Sequence, residues 1–375
     1  MNRLINTMDN YTNGPDSVEI YYPREATIFA SICAVVFSVL GVIGNLITAI
    51  ALLRCSKLRH HATTAFVISL CMSDLLFCAI NLPLTASRYI NQAWVLSSTL
   101  CKLFPFFFYG NVAASLLSMV AITINRYILI SYHSLYDKLY APRYISLMLV
   151  FVWVFSFSMM VPPLVEVWGY LGLDPPTFSC TILKKDGKSP KKMLFVLGFI
   201  LPCVVIITSY SCIYWKVRQS RRNLQAHNAV GPKPNNAAHQ FLQRREDIRL
   251  TRLMLIIFCC FLLCFLPLML VNVADDEIHY PTIHVMASVL AWASSVVNPF
   301  IYAGSNRQYR AAYRKLLCCV SSQGRGDTGY RTGAPAGGGS VTHSHSGSGK
   351  TFITDTFQYN AAADKVNIVR ANGND

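Results

Sequence analysis

Seven stretches of the chain hold almost no charge. Residues 27–53, 103–125, 144–165, 193–215, 253–274 and 278–306 contain no Asp, Glu, Lys or Arg, and 62–87 contains one, Asp74. About 20 apolar residues wound as a helix cross the hydrocarbon core of a bilayer. Each stretch reaches that length. The pattern therefore predicts an all-α bundle of seven transmembrane helices. Pro83, Pro202, Pro267 and Pro299 fall inside these spans. Each should open the hydrogen-bond ladder of its helix.

Composition narrows the class. Charged residues make up 14% of the 375, against about 25% in a soluble domain. Mean hydropathy is +0.38. A soluble enzyme is excluded, and so is disorder over most of the chain. The net charge of +15 could suggest nucleic acid, but the cations lie in the links between spans. The first link holds Arg54, Lys57 and Arg59, the third Lys138 and Arg143, and the fifth nine Lys or Arg between 216 and 252. Arg307, Arg310, Arg314 and Lys315 follow the seventh span. By the positive-inside rule these segments are cytoplasmic and the N-terminus is outside. The expected organisation is an outer segment 1–26, a helical domain 27–319 and a disordered cytoplasmic tail 320–375 rich in Gly and Ser. Residues 219–245 read as a mobile linker. No apolar h-region precedes the first span, so no cleavable signal peptide is expected. Asn10 heads an Asn-Tyr-Thr glycosylation sequon in the outer segment.

Most of the 13 cysteines read as small apolar groups in the spans. Cys101 and Cys180 are the two placed outside, and an oxidising exterior predicts their pairing across the bundle mouth. Cys318 and Cys319 follow a stretch in which Tyr309, Ala312, Tyr313, Leu316 and Leu317 share one helical face. That stretch predicts an amphipathic eighth helix on the inner leaflet, anchored by palmitoylation or left with free thiols.

A carboxylate in mid-membrane costs about 2.5–3.5 kcal/mol on insertion scales, so Asp74 should face inward and find partners. Asn45, Asn111, Ser115, Ser294 and Asn298 stand at compatible depths. Two readings fit: a site for a small cation, or a hydrogen-bonded network joining helices. Arg126 lies 25 residues after Cys101, about 37 Å along a helix, at the inner surface. Asp247 lies 20 residues before Pro267, at a matching depth, and is the candidate partner of Arg126 across the third and sixth helices; a solvated Asp247 is the alternative.

These residues resemble the rhodopsin-like (class A) G-protein-coupled receptors over 27–319. The matches are Gly44-Asn45, 70–74, Cys101, Asn125-Arg126-Tyr127, Trp153, Pro202 with Tyr210, 261–267, and 298–302 with Asn298, Pro299 and Tyr302. Segments 110–129 and 178–185 resemble a subgroup of insect orphan receptors, with melatonin receptors more distant. The resemblance implies several roles. Asn125, Arg126, Tyr127, Tyr210, Asp247 and Tyr302 would couple to a heterotrimeric G protein. Phe261, Phe265, Pro267, Asn298 and Pro299 would form the switch. Asp74, Asn111, Ser115, Ser294 and Asn298 would hold an allosteric sodium ion. It also implies an extracellular ligand, a plasma-membrane location, arrestin and receptor kinases acting on the tail, lipid around the bundle, and a setting in cell migration or epithelial barriers. Two positions depart from the family pattern: Asn125 stands where Asp or Glu is usual, and Phe265 where Trp is usual. The seventh span has no Lys, so a retinal Schiff base is excluded. Phe108 replaces the Asp of amine receptors.

The expected ligand cavity includes Phe108, Phe265, Met269, Asn272, His284 and Ser288. It is apolar with few polar groups. Lys184, Lys185, Lys188, Lys191 and Lys192 near its mouth suit an anionic lipid or acid, or form a solvated basic surface. A transporter or channel is the alternative class, but it would need paired membrane charges or inverted repeats, and neither is found. An intramembrane hydrolase would need a nucleophile–base pair or a second carboxylate beside Asp74.

Overall fold

The computed structural model describes residues 22–59, 61–227, 236–275 and 278–323. The sequon at Asn10 and the tail beyond 323 lie outside them. Among the described residues, seven helices are long and apolar enough to cross a membrane. They are α1 (Arg24–Arg54), α2 (Ala62–Asn91), α3 (Ser98–Ser131), α4 (Pro142–Leu164), α5 (191–227), α6 (Asn236–Ala274) and α7 (Pro281–Ser305). A short helix, His133–Leu139, follows α3. Helix α8 (Arg307–Gln323) follows α7.

Burial is uneven in the way lipid demands. Leu147, Val150, Phe151 and Val154 of α4 are exposed, whereas α3 buries residues along most of its length. A helix surrounded by other helices loses its apolar surface to them. A helix at the rim keeps an aliphatic face for acyl chains.

Two prolines act through wide turns. A π-helical turn, Phe77–Asn81, precedes Pro83, and another, Val196–Ile200, precedes Pro202. Proline offers no N–H and crowds the carbonyl four residues back, so the ladder opens there. Pro267 and Pro299 instead lie inside continuous α-helix.

One expectation needs correction. The linker 219–245 is mostly helix, because α5 runs to His227 and α6 begins at Asn236. Arg, Gln, Leu and Ala dominate these ends and favour helix. Cys212 and Cys259 lie within the spans and are exposed on the bundle surface. Helix α8 turns part of its apolar face to the bundle: Tyr309 and Ala312 are buried, and the Tyr313 hydroxyl lies 3.0 Å from Thr48 Oγ1 of α1. The side chains of Cys318 and Cys319 fall outside the described residues.

Candidate functional site

The outer end is closed by a hairpin that the apolar pattern did not predict. Strands β1 (Tyr170–Asp174) and β2 (Ser179–Leu183) pair antiparallel. Cys180 of β2 is disulfide-bonded to Cys101 at the start of α3, with their Cα atoms 5.3 Å apart. The hairpin turn ends at Phe178, which has a φ of +40° and packs its ring against the bundle. There it meets Tyr22 and Tyr89 edge-on, with centroids at 4.8 and 5.7 Å. Tyr89 in turn contacts Trp292, and the Arg88 guanidinium sits 4.2 Å over the Tyr89 ring. Arg88 also donates to the Thr177 carbonyl at 3.4 Å. This aromatic cluster ties the hairpin to α2 and α7, and of its members the sequence reading had only a motif containing Phe178.

The expected ligand residues divide below and beside it. Phe108 packs on Phe77 at 5.4 Å, and Phe265 stacks on Phe261 at 4.5 Å, deep in the core. Met269 and Ser288 are half-buried, whereas Asn272 is exposed. His284 Nε2 lies 3.1 Å from Asp275 Oδ2. Asp275 also accepts from the backbone N–H groups of His279 and Tyr280. Desolvation opposes ionisation there, but these bonds hold the Asp275 carboxyl well below the usual carboxylate range. Lys184 and Lys185 are exposed on the hairpin. Lys185 is tied to Glu166, 2.9 Å from its carbonyl oxygen and 3.8 Å from its carboxylate. Lys102 joins the same carboxylate at 3.0 Å, and together they lower the Glu166 pKa, Lys102 more.

At mid-depth Asp74 is 2% exposed. Ser115 Oγ donates to its Oδ1 at 3.2 Å, and Asn298 Nδ2 to its Oδ2 at 2.8 Å. Ser73 reaches Ser115 at 2.7 Å. The other expected members look elsewhere. Asn45 donates to the Ser295 carbonyl, Ser294 to the Ala291 carbonyl of its own helix, and Asn111 to Asn81 Oδ1 at 3.4 Å. Asn111 Oδ1 is left buried without a hydrogen-bond partner.

At the inner end Arg126 Nη1 stands 3.5 Å from Asp247 Oδ1. That exceeds the roughly 2.7–2.9 Å of a charge-assisted hydrogen bond, so the attraction is mainly Coulombic. Arg126 Nη2 also donates to Thr63 Oγ1 of α2. Thr63 Oγ1 donates to Asn125 Oδ1 at 2.7 Å, and Asn125 Nδ2 donates to Tyr136 OH at 3.2 Å. Thr63 and Tyr136 were missed because nothing in their spacing marks them; a lone threonine near a helix start reads as a cap. Tyr302 stacks on Tyr309 at 5.0 Å, and the buried hydroxyls of Tyr302 and Tyr210 have no hydrogen-bond partner.

The described residues thus form a bundle of seven membrane-length helices with a carboxylate buried among helix-borne amides and hydroxyls and a buried arginine one level away. Residues 44–302 match the family model described as 7 transmembrane receptor (rhodopsin family), and the chain belongs to that family. It is 55% identical to Protein trapped in endoderm-1 of Drosophila melanogaster over 316 residues, covering 81% of both chains. It is 35% identical to the G-protein coupled receptor moody of the same species, covering 80% of this chain but 52% of that one. It is 30% identical to the Ovis aries melatonin receptor type 1A, over 79% of each. The fold superimposes on squid rhodopsin with a TM-score of 0.70 at 23% identity, covering 82% of this chain and 89% of that one. The protein is thus a multi-pass membrane receptor of a signalling class, and not a member of an enzyme family.

Proposed function

We propose that this receptor sits in the plasma membrane with its N-terminus outside and activates a heterotrimeric G protein when an extracellular ligand binds. The observation that carries the reading is the placement of Arg126, buried between Asp247 of α6 and Thr63 of α2. In this arrangement α6 is drawn toward α3 and the cytoplasmic face is closed. Ligand in the outer cavity favours the state in which that pair is broken. Tyr210 and Tyr302, whose buried hydroxyls lack partners here, gain hydrogen bonds when the helices part.

The Asp74 cluster fits a sodium ion on its donor chemistry. A carboxylate, the Ser115 hydroxyl and the orphaned Asn111 Oδ1 are all hard oxygens. Asp74, Ser115 and Asn111 would hold the ion, with Asn298 orienting the carboxylate. The ion would add charge compensation between α2, α3 and α7. Ser294 is the weakest candidate, since its hydroxyl serves its own helix.

For the ligand, the exposed lysines that follow the hairpin and open α5 favour an anionic lipid or acid, steered electrostatically to the mouth. Arrestin and receptor kinases would act on the tail, and Cys318 and Cys319 would carry palmitate. The setting in cell migration or epithelial barriers comes from the resemblance to insect receptors. The test is nucleotide exchange on G protein in membranes without ligand. Exchange that rises with receptor level and vanishes in Arg126→Ala supports coupling. Exchange that ignores both refutes it.

A further inference from the structure

Between the cytoplasmic ends of α3 and α5 lies a cleft of about 870 Å³, in which Tyr127 is the one lining residue that the coupling set above includes. Tyr127, Ser131 and Tyr132 form its α3 wall. Lys216, Arg218 and Arg222 rise along its α5 wall, and no carboxylate lines it. Among the described residues, none of these three cations is paired with an acid. Arg218 has one contact, a 3.4 Å hydrogen bond from its Nη1 to Tyr214 OH. Ser131 Oγ is buried with no hydrogen-bond partner, so the cleft holds an unused hydroxyl beside its cations.

The outward face of α5 says what lies against this cleft. Val196, Leu201, Val204 and Ile207 are exposed and aliphatic. Tyr214 and Trp215 follow, 60% and 73% exposed. Lys216, Arg218 and Arg222 come next. Aliphatic, then aromatic, then cationic is the order of acyl chains, interface and headgroups. The cleft therefore opens at headgroup depth, with a track for lipid tails leading into it.

We propose that this cleft binds an anionic phospholipid of the inner leaflet bearing a multiply phosphorylated headgroup. Three cations in one cleft exceed what a single phosphodiester neutralises. The two guanidiniums can each take a phosphate by paired N–H bonds, and Lys216 adds a point charge. Ser131 and the tyrosine hydroxyls supply neutral donors to the headgroup ring. Tyr132 meets Tyr127 edge-on at 5.9 Å, and Tyr127 follows Arg126 in sequence, so the bound lipid would rest against the α3 coupling segment.

The inference rests on the cytoplasmic placement of this face. Accessibility of an epitope inserted at 228–235, in intact against permeabilised cells, tests that placement on its own. The lipid test uses the full-length receptor purified in detergent. Binding of a short-chain bisphosphorylated inositol phospholipid is measured beside short-chain phosphatidylserine and the soluble inositol phosphate headgroup. The bisphosphorylated lipid should bind tightest. The triple variant Lys216→Gln, Arg218→Gln, Arg222→Gln should weaken it roughly a hundredfold, since each surface cation contributes about fivefold. Ser131→Ala should weaken it by a smaller factor, and Arg54→Gln with Arg59→Gln, exposed cations at the α1 end that do not line the cleft, should leave it unchanged. These cations are exposed, so the triple variant should elute and melt as wild type does. Equal affinity for phosphatidylserine would overturn the headgroup assignment. Equal affinity for the soluble headgroup would overturn the lipid as occupant. Unchanged binding in the triple variant would overturn the site.

Discussion

Arg126 is held by two neighbours of different kinds, and the balance between them sets the basal state. Its side chain is 4% exposed and that of Asp247 27%, so the pair is screened less than a surface bridge worth about 0–1 kcal/mol. About 1.4 kcal/mol is a tenfold change in a two-state equilibrium. Asp247→Ala should therefore raise ligand-free nucleotide exchange by about three- to tenfold. Thr63→Val, which removes both the Arg126 and Asn125 bonds of that hydroxyl, should raise it less. Asn125→Asp keeps the acceptor for Thr63 and adds a charge beside Arg126, so it should lower exchange. Identical basal rates in all three, at matched surface levels, would show that this contact does not hold the closed state. At Asp74 the substitution Asp74→Asn can keep both bonds, its oxygen accepting from Asn298 and its amide donating to Ser115. It should fold, yet any sodium effect on agonist affinity should vanish. A sodium response that survives would remove Asp74 from the ion site.

Helix contacts and loop anchors set the next tier. The disulfide fastens β2 to α3, so Cys101→Ser, Cys180→Ser and the double variant should lose surface display to the same extent. Additive losses would mean that each cysteine has a separate role. At Gly110 the side chain of Phe157 lies against the α3 backbone: a Cβ there would meet Phe157 Cε1 at 2.5 Å. That ring is braced by stacking on Trp153, whose Nε1 donates to Ser69 of α2. Gly110→Ala should cost about 1–3 kcal/mol through overpacking. It should lower the unfolding temperature of purified receptor, and Phe157→Leu should recover part of the loss. A melting curve equal to wild type would mean that α4 slides freely. Much of this tier was legible in the sequence. Long uncharged runs mark spans because hydrocarbon tolerates nothing else, and the order of Asp74, Arg126 and Pro267 gives their depths. The hairpin, the cluster of Phe178 on Tyr22 and Tyr89, and the Thr63–Asn125–Tyr136 chain were not legible. They depend on side chains far apart in sequence, and no periodicity links them. The lengths of α5 and α6 were also missed, because a polar link looks alike whether it is coil or a solvated helix.

For the whole molecule, charge separates into a basic loop at one end of the bundle, a nearly neutral set of spans and a basic rim at the other end. Neutralising Lys184, Lys185, Lys188, Lys191 and Lys192 should shift the dose–response of an anionic agonist to higher concentration, most at low salt. An unchanged curve with normal display would exclude steering by this surface. The same architecture has a mechanical side. Helix α6 has 39 residues, about 58 Å of rod against a hydrocarbon core of about 30 Å. Pro267 lies near its outer end, and Asp247 is 20 residues below, about 30 Å away. A pivot at the proline makes that segment a lever arm. Tilting it by about 10° sweeps Asp247 through about 5 Å. The gap to Arg126 then more than doubles, whereas residues one turn from the fulcrum move by less than about 1 Å. If a ligand rotating one aromatic ring shifts Phe265 by that much, the gearing of α6 would turn a sub-ångström input into a break of the Arg126–Asp247 pair.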